Sequence, residues 1–238
     1  MNNGNTKNIY IYILSKKIEN PQALYEKTKS KYEGSAKKIV SGLDDYLMAA
    51  GKKNLEERLV TAALIIESVF NQVFFASFPI PDAFEKDYFG KPRFSESDVK
   101  ISIAHNEDFA VVAYMRGREI GVDIEGEIPT EKAEKLAVRF PAIASLDVEK
   151  NRTEIAEGGT KICLFEMLED GRFESLPLTF ADDCFAAKWT TAEALMKCDG
   201  RGFSAIGEIK NLIENINIFS FYLIVENKKI YISLAEKQ

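Results

Sequence analysis

Two carboxylates separated by one residue lie in the segment Ile120-Gly-Val-Asp-Ile-Glu125. Alternate side chains of a β-strand share a face, so Asp123 and Glu125 would stand side by side, with Gly121 leaving open space next to them. Like charges this close repel unless a cation lies between them, and ligands that are all oxygen favour Mg²⁺. A solvent-facing strand edge has the same pattern, and both interpretations stand at this point.

A second candidate group lies on a predicted helix over residues 185–198. Trp189, Glu193 and Lys197 follow one another at intervals of four, which places them on one stripe of the helix. Glu193 could serve a metal or accept a proton, and Lys197 could meet a phosphate. Taken alone, the stripe is better explained as a surface ion pair with a tryptophan packed below it.

His105 is the only histidine of the chain. This count excludes sites built from two or more histidines, such as those of zinc peptidases. His105 follows a predicted strand and precedes a polar loop, where it is either a chance surface residue or an anion ligand. Lys91 stands in the stiff segment Gly90-Lys91-Pro92. Together these residues fit a divalent-metal site that handles a phosphorylated ligand.

The composition excludes several classes of protein. The chain has 238 residues, of which 46% are hydrophobic and 29% charged, as expected of a globular protein rather than a disordered one. The formal net charge of −6 argues against nucleic-acid binding. The apolar runs at residues 9–14 and 68–81 are too short to span a membrane, and the first predicts a strand. Three cysteines without a CxxC pair suit a reducing compartment, so we expect a cytoplasmic protein.

The elements that must position these residues are mixed along the chain. Patterning predicts long helices, the first of them buried, at residues 54–76, 130–140 and 185–198. It predicts strands at residues 9–14, 100–104, 109–115, 120–125, 162–168, 173–178, 216–225 and 230–234, and a polar loop at 145–160. Asp170-Gly171 favours a type I′ turn that joins the predicted strands 162–168 and 173–178 as a hairpin. Strands paired as hairpins around long helices predict an α+β fold.

One internal echo supports two related halves. Arg58-Leu-Val-Thr-Ala-Ala-Leu is similar to Lys188-Trp-Thr-Thr-Ala-Glu-Ala. A match this short also arises by chance.

Four motifs in order resemble the 4′-phosphopantetheinyl transferases of the larger, pseudo-dimeric kind. They are Phe89-Gly-Lys-Pro92, Ile101-Ser-Ile-Ala-His105, Ile120-Gly-Val-Asp-Ile-Glu125 and Trp189-Thr-Thr-Ala-Glu-Ala-Leu-Met-Lys197. Their order and spacing follow the family over residues 52–203. The resemblance implies two similar α+β halves with coenzyme A between them. We assign residues 1–105 to the first half and 106–238, with the metal site, to the second.

The resemblance also implies a role for each motif residue. Asp123, Glu125 and Glu193 match the acidic residues that hold Mg²⁺, and Glu193 also matches the group that activates the attacking serine. Lys197 matches the lysine that contacts coenzyme A phosphate and assists the leaving group. His105 matches the histidine that contacts the phosphates of the cofactor. Lys91 and Arg58 match basic residues that lie near its nucleotide and 3′-phosphate.

Three positions depart from the family pattern. Ala104 and Asn106 flank His105 where the family usually has serine, and Ala192 precedes Glu193 where the family usually has lysine. One phosphate-neutralising charge is therefore missing. Lys188 lies one helical turn earlier and is a candidate substitute.

The implied reaction is transfer of the 4′-phosphopantetheine arm of coenzyme A to a serine of an acyl, peptidyl or polyketide carrier protein. It needs Mg²⁺ and releases 3′,5′-ADP. We expect a monomer, because a pseudo-dimer needs no second chain, and neither nucleic acid nor membrane as partner. One alternative is a degenerate relative that binds coenzyme A or a carrier protein without catalysis. Another is a metal-dependent enzyme acting on a different nucleotide.

Overall fold

The computed structural model describes residues 8–32, 37–49, 54–70, 83–88, 90–153, 160–225 and 227–238. Their strands are β1 (Asn8–Ser15), β2 (Ala83–Lys86), β3 (Pro92–Ser95), β4 (Val99–His105), β5 (Phe109–Arg116), β6 (Ile120–Gly126), β7 (Lys161–Met167), β8 (Phe173–Leu176), β9 (Thr179–Phe180), β10 (Ile216–Val225) and β11 (Lys228–Lys237). Their helices are α1 (Pro21–Lys31), α2 (Lys37–Met48), α3 (Leu55–Phe70), α4 (Thr130–Arg139), α5 (Pro141–Ala144), α6 (Val148–Asn151), α7 (Phe185–Asp199) and α8 (Ile209–Ile213), with a 3₁₀ helix at Gly202–Glu208.

Two larger sheets form the centre of this structure. The first has the order β4-β5-β1-β7-β8, in which β1 runs antiparallel to β5 and parallel to β7. The second has the order β6-β11-β10-β9, with each described neighbour antiparallel. A further small ribbon pairs β2 with β3. Strands joined as hairpins beside long helices confirm the predicted α+β class.

One arrangement occurs twice along the chain. A first strand is followed later by a long helix and then by a hairpin, and the second hairpin strand pairs antiparallel with the first strand. In the first sheet these elements are β1, α3 and β4–β5; in the second they are β6, α7 and β10–β11. The two echoing segments of sequence lie on α3 and α7. The pseudo-dimer and its boundary after residue 105 stay predictions, and the first sheet contains strands from both sides of that boundary.

The two sheets share one apolar core. Ile11 and Ile13 of β1 belong to the same buried cluster as Val122 and Ile124 of β6. The alternate residue Tyr12 faces the opposite way and packs in the cluster that includes α3. Because both faces of β1 are buried, its sequence is a continuous apolar run and does not alternate between apolar and polar residues.

Several predicted boundaries change. The long helix α3 is described to Phe70, and residues 71–82 lie outside the described part of the chain. The predicted loop at 145–160 contains the short helix α6, which begins because the Asp147 side chain accepts a hydrogen bond from the Lys150 N–H; residues 154–159 are not described. The type I′ turn is wrong, because β7 and β8 are joined through five residues and only Gly171 among them has a positive φ.

No helix in the described part of the chain combines the length and the apolar character that a bilayer crossing requires.

Candidate active site

The edges of the two sheets meet between β4 and β6. The Val122 N–H on β6 donates to the Ser102 Oγ on β4 at 3.0 Å, and both groups are buried. This contact ties two strands that belong to different sheets. His105 ends β4 and Glu125 lies near the end of β6, so the contact brings both residues to one cleft.

We call this the main cleft. Its volume is about 860 Å³, and its lining includes Lys16, Glu57, His105, Asn106, Glu107, Asp108, Glu125, Gly126, Glu127, Lys132, Lys228 and Lys229. A second, small cleft of about 250 Å³ is lined by Gly90, Lys91, Pro92, Ser102, Ile103, Lys197, Gly200, Arg201 and Gly202. β4 contributes residues to both.

The carboxylate face of β6 lies against α7. A Cβ added to Gly121 would stand 2.0 Å from the Ala194 carbonyl oxygen and 2.5 Å from the Cys198 backbone nitrogen. Only a residue without a side chain allows the helix backbone to approach so closely. The expected open space beside the carboxylates is therefore wrong: α7 fills it, and its residues reach the next position on the same face, Asp123.

Asp123 is a buried carboxylate with one direct cationic partner. It is 5% exposed, and its Oδ1 accepts a hydrogen bond from Lys197 Nζ at 2.7 Å. The pKa of Asp123 is raised to about 7, with burial as the largest cause; Lys197 opposes the rise, and the negative charges of Glu193 and Glu125 add to it. The two glutamates therefore lie within electrostatic reach of Asp123.

Replacing Asp123 by Asn should make stability less sensitive to pH. The folded-state pKa is raised above the unfolded value, so the stabilising effect of the protonated carboxyl is present below about pH 4 and is lost as the pH rises to about 7. Asn carries no charge at any pH. We expect the free energy of unfolding of Asp123→Asn, relative to the wild type, to increase by at least about 2 kcal/mol from pH 4.5 to pH 8.

Urea unfolding in the presence of a chelator measures this difference. A difference in the free energy of unfolding between variant and wild type that stays constant with pH would contradict the raised pKa of Asp123. So would a gap that moves in favour of the wild type at pH 8.

The stripe predicted on α7 is observed. Between Ala186 and Cys198, the positions that are not fully buried are Lys188, Trp189, Glu193 and Lys197. Trp189 packs against Phe140, with ring centroids 5.6 Å apart. The aromatic contact supports the packed tryptophan, whereas Lys197 pairs with Asp123 across the interface rather than with Glu193 on its own helix.

The donor set of the carboxylates fits a hard cation. Asp123, Glu125 and Glu193 offer only oxygen ligands; burial is the main cause of the raised pKa of Asp123, and repulsion from the two glutamates, which a divalent cation would relieve, adds to it. In the present arrangement one oxygen of Asp123 is held by Lys197, and one of Glu125 accepts from the Gly126 N–H at 3.0 Å. Within the described ranges, no three His, Cys, Asp or Glu side chains are grouped closely enough to hold a metal ion.

His105 lies at the wall of the main cleft beside a carboxylate from α3. Its Nε2 contacts Glu57 Oε1, and Glu57 Oε2 accepts from Lys16 Nζ at 2.8 Å. Lys16 also donates to the Asn106 carbonyl oxygen at 2.6 Å. Burial lowers the pKa of His105; Glu57 raises it, and the cations Lys16, Lys197 and Arg58 lower it.

Lys91 and Arg58, the two other predicted cofactor contacts, have partners within the protein. Lys91 Nζ donates to Glu119 Oε2 at 2.6 Å and lines the small cleft together with Lys197. Arg58 donates to the Tyr46 carbonyl oxygen at 2.8 Å, and its guanidinium lies 4.8 Å from the centre of the Tyr46 ring. Arg58 is not among the described lining residues of either cleft.

The structure thus brings most of the predicted residues together in two groups. His105 and Glu125 line the main cleft, and Lys91 and Lys197 line the small one. Lys197 also pairs with Asp123, which lies within electrostatic reach of Glu193.

Sequence reasoning missed Glu57 and Lys16. Glu57 directly precedes Arg58, and on a helix neighbouring residues point about 100° apart, so the two reach different surroundings. Lys16 follows the first strand in an ordinary polar turn. Neither position carries a spacing signal, because the contacts from Lys16 to Glu57 and from Glu57 to His105 join three segments that are distant in sequence.

The departures from the family pattern have local explanations. Ala104 is buried in the core between the sheets, and Ala192 is fully buried beside Ile143 and Leu195. The Asn106 side chain closes the β4–β5 turn by accepting from the N–H groups of Asp108 and Phe109, at 3.0 and 2.8 Å.

Lys188, the candidate substitute for the missing charge, is held elsewhere. Its Nζ lies 3.0 Å from Asp183 Oδ2 and donates to the Ala144 carbonyl oxygen at 3.4 Å. Its substitution for the missing charge stays a prediction.

Comparison with known proteins gives one curated relative. The chain is 29% identical over 131 residues to "4′-phosphopantetheinyl transferase HetI" from Nostoc sp. (strain PCC 7120). The match covers 53% of this chain and 45% of that protein, so it spans less than half the length of the relative. No protein-family model matches the chain.

Proposed function

We propose, from its confirmed resemblance to the 4′-phosphopantetheinyl transferases, that this chain transfers the 4′-phosphopantetheine arm of coenzyme A to a carrier-protein serine. The observation that carries the proposal is the environment of Asp123. Asp123 is a buried carboxylate that accepts a hydrogen bond from Lys197 and lies within electrostatic reach of Glu125 and Glu193. Carboxylates that can hold a divalent cation, next to a lysine and a histidine that can contact phosphate, suit the binding of a diphosphate.

The diphosphate of coenzyme A is negatively charged and contains the phosphorus that reacts. Lys197 has three N–H donors and uses one on Asp123, so it can also donate to a phosphate oxygen. His105 would meet the same diphosphate from β4. Both groups would offset the charge that develops on the departing 3′,5′-ADP.

Asp123, Glu125 and Glu193 would hold Mg²⁺, which when bound would neutralise charge on the diphosphate. Of these, Asp123 is the most buried and is fixed by its hydrogen bond. Glu193 lies on the half-buried stripe of α7, so its carboxylate remains accessible from outside the core.

In the transfer step the serine Oγ attacks the β-phosphorus of coenzyme A. A new P–O bond forms to the serine, and the bond between this phosphorus and the 3′,5′-ADP oxygen breaks. The serine proton passes to Glu193, directly or through water. Such chemistry needs alignment and charge neutralisation more than covalent help from the protein.

The test is incubation of the full chain with apo carrier proteins, coenzyme A and Mg²⁺. Carriers from fatty-acid, polyketide and peptide synthesis form the panel, and intact mass reads the result. We expect a phosphopantetheine adduct on at least one carrier, lost when a chelator removes the metal. Absence of an adduct on every carrier would overturn the enzymatic proposal.

A second candidate is a binder without transfer activity. It is favoured by Ala192, which lies fully buried where the family usually has lysine, so a phosphate-neutralising cation is missing. Calorimetry distinguishes the candidates when combined with the mass assay. Metal-dependent binding of coenzyme A without turnover on any carrier would identify the binder, and failure of 3′,5′-ADP to compete would point to a different nucleotide.

A further inference from the structure

His105 is held by a chain of charged groups that the proposed transfer does not use. Glu57 on α3 contacts His105 Nε2 with one carboxylate oxygen and Lys16 Nζ with the other, at 2.8 Å for the lysine. Lys16 donates in turn to the Asn106 carbonyl oxygen, next to His105 itself. The Glu57 carboxylate therefore has a fixed place, because each of its oxygens has a partner.

This contact decides which ring nitrogen carries the proton. An ionised carboxylate only accepts hydrogen bonds, so Nε2 must be the donor. In the neutral ring Nδ1 is then without a proton. Among the residues that the structure describes, Nδ1 has no hydrogen-bond partner, and the His105 side chain is 44% exposed toward the main cleft.

We propose that Glu57 is a positioning residue that fixes the Nε2–H form of His105, so that binding of a phosphate at Nδ1 takes up one proton. A bare Nδ1 repels a phosphate oxygen, whereas a protonated Nδ1 donates to it. The phosphate and the proton therefore bind together. The proposal rests on the proposed function only for the identity of the phosphate, which would be that of coenzyme A.

The charged groups around His105 act on its protonation in opposite directions. Glu57 is the anion that faces His105, and it favours the protonated ring. Lys16 after β1, Arg58 on α3 and Lys197 on α7 are cations that oppose it, together with burial. Burial and the three cations favour the neutral ring in the free protein; a bound phosphate offsets the charge of the cations, and the ring then accepts the proton.

The single histidine makes the test unambiguous, since every imidazole NMR signal belongs to His105. Nitrogen chemical shifts of the labelled full chain report the tautomer without any substitution. We expect Nε2–H in the neutral ring, and a higher titration midpoint once inorganic phosphate or 3′,5′-ADP is added. A neutral ring protonated at Nδ1 would overturn the proposal, as would a midpoint that neither anion moves.

Glu57→Gln removes the charge while keeping the shape, and Glu56→Gln is the matched control at the exposed neighbouring position. We expect the midpoint of His105 to fall by about one pH unit in Glu57→Gln and to stay unchanged in Glu56→Gln. Equal midpoints in both variants would refute a role for Glu57. Transfer activity is measured separately: a phosphate-linked rise in the midpoint without any carrier adduct would support this inference and overturn the proposed function.

Discussion

Replacing Glu193 by Gln should lower the rate of carrier modification about 1000-fold, within the range lost when a general base is removed. The amide cannot accept the serine proton and is a poorer ligand for Mg²⁺ than a carboxylate. The fold should persist, because Glu193 lies on the half-buried stripe of α7 and Gln has the same shape. The measurement is the initial rate of adduct formation at saturating coenzyme A.

Glu214→Gln is the control, since Glu214 is exposed beyond the end of α8 and outside the proposed site. We expect its rate to equal that of the wild type. A Glu193→Gln rate within threefold of this control would show that Glu193 neither accepts the proton nor holds the metal.

The second large effect is expected at Gly121. Changing Gly121 to Ala should lower the free energy of unfolding by about 3 kcal/mol, because the new methyl group meets backbone atoms and not a flexible side chain. The nearest is the Ala194 carbonyl oxygen, 2.0 Å from the added carbon. Relief requires α7 to move away from β6, so the Lys197–Asp123 pair should be disturbed and transfer lost as well.

Gly126→Ala supplies the matched control on the same strand. A Cβ at this position has nothing within 4 Å, so stability should be unchanged or slightly higher. Urea unfolding of both variants compares the positions directly. Equal stabilities would contradict the close approach of α7 to β6.

The faces of β6 and α7 could be predicted from the sequence because they depend on local periodicity. Alternation separated Val122 from Asp123, and the four-residue interval placed Glu193 with Lys197. The structure confirms both assignments. Such patterns are visible in the sequence because most of the buried side chains are apolar.

Contacts between distant segments could not be predicted in the same way. The pairing of Lys197 with Asp123 depends on the close approach of α7 at Gly121, whereas the sequence pattern predicts open space beside this glycine. Glu57 reaches His105 only because α3 lies beside the end of β4. These contacts depend on how helices are seated on the sheets, which periodicity within one segment does not encode.

The stoichiometry of one reaction tests the proposed transfer of phosphopantetheine. Wild-type protein, apo carrier, coenzyme A and Mg²⁺ are incubated, and adduct and nucleotide are quantified in the same sample. We expect one 3′,5′-ADP to be released for each phosphopantetheine joined to the carrier serine. Carrier that remains unmodified, or nucleotide that appears without adduct, would contradict it.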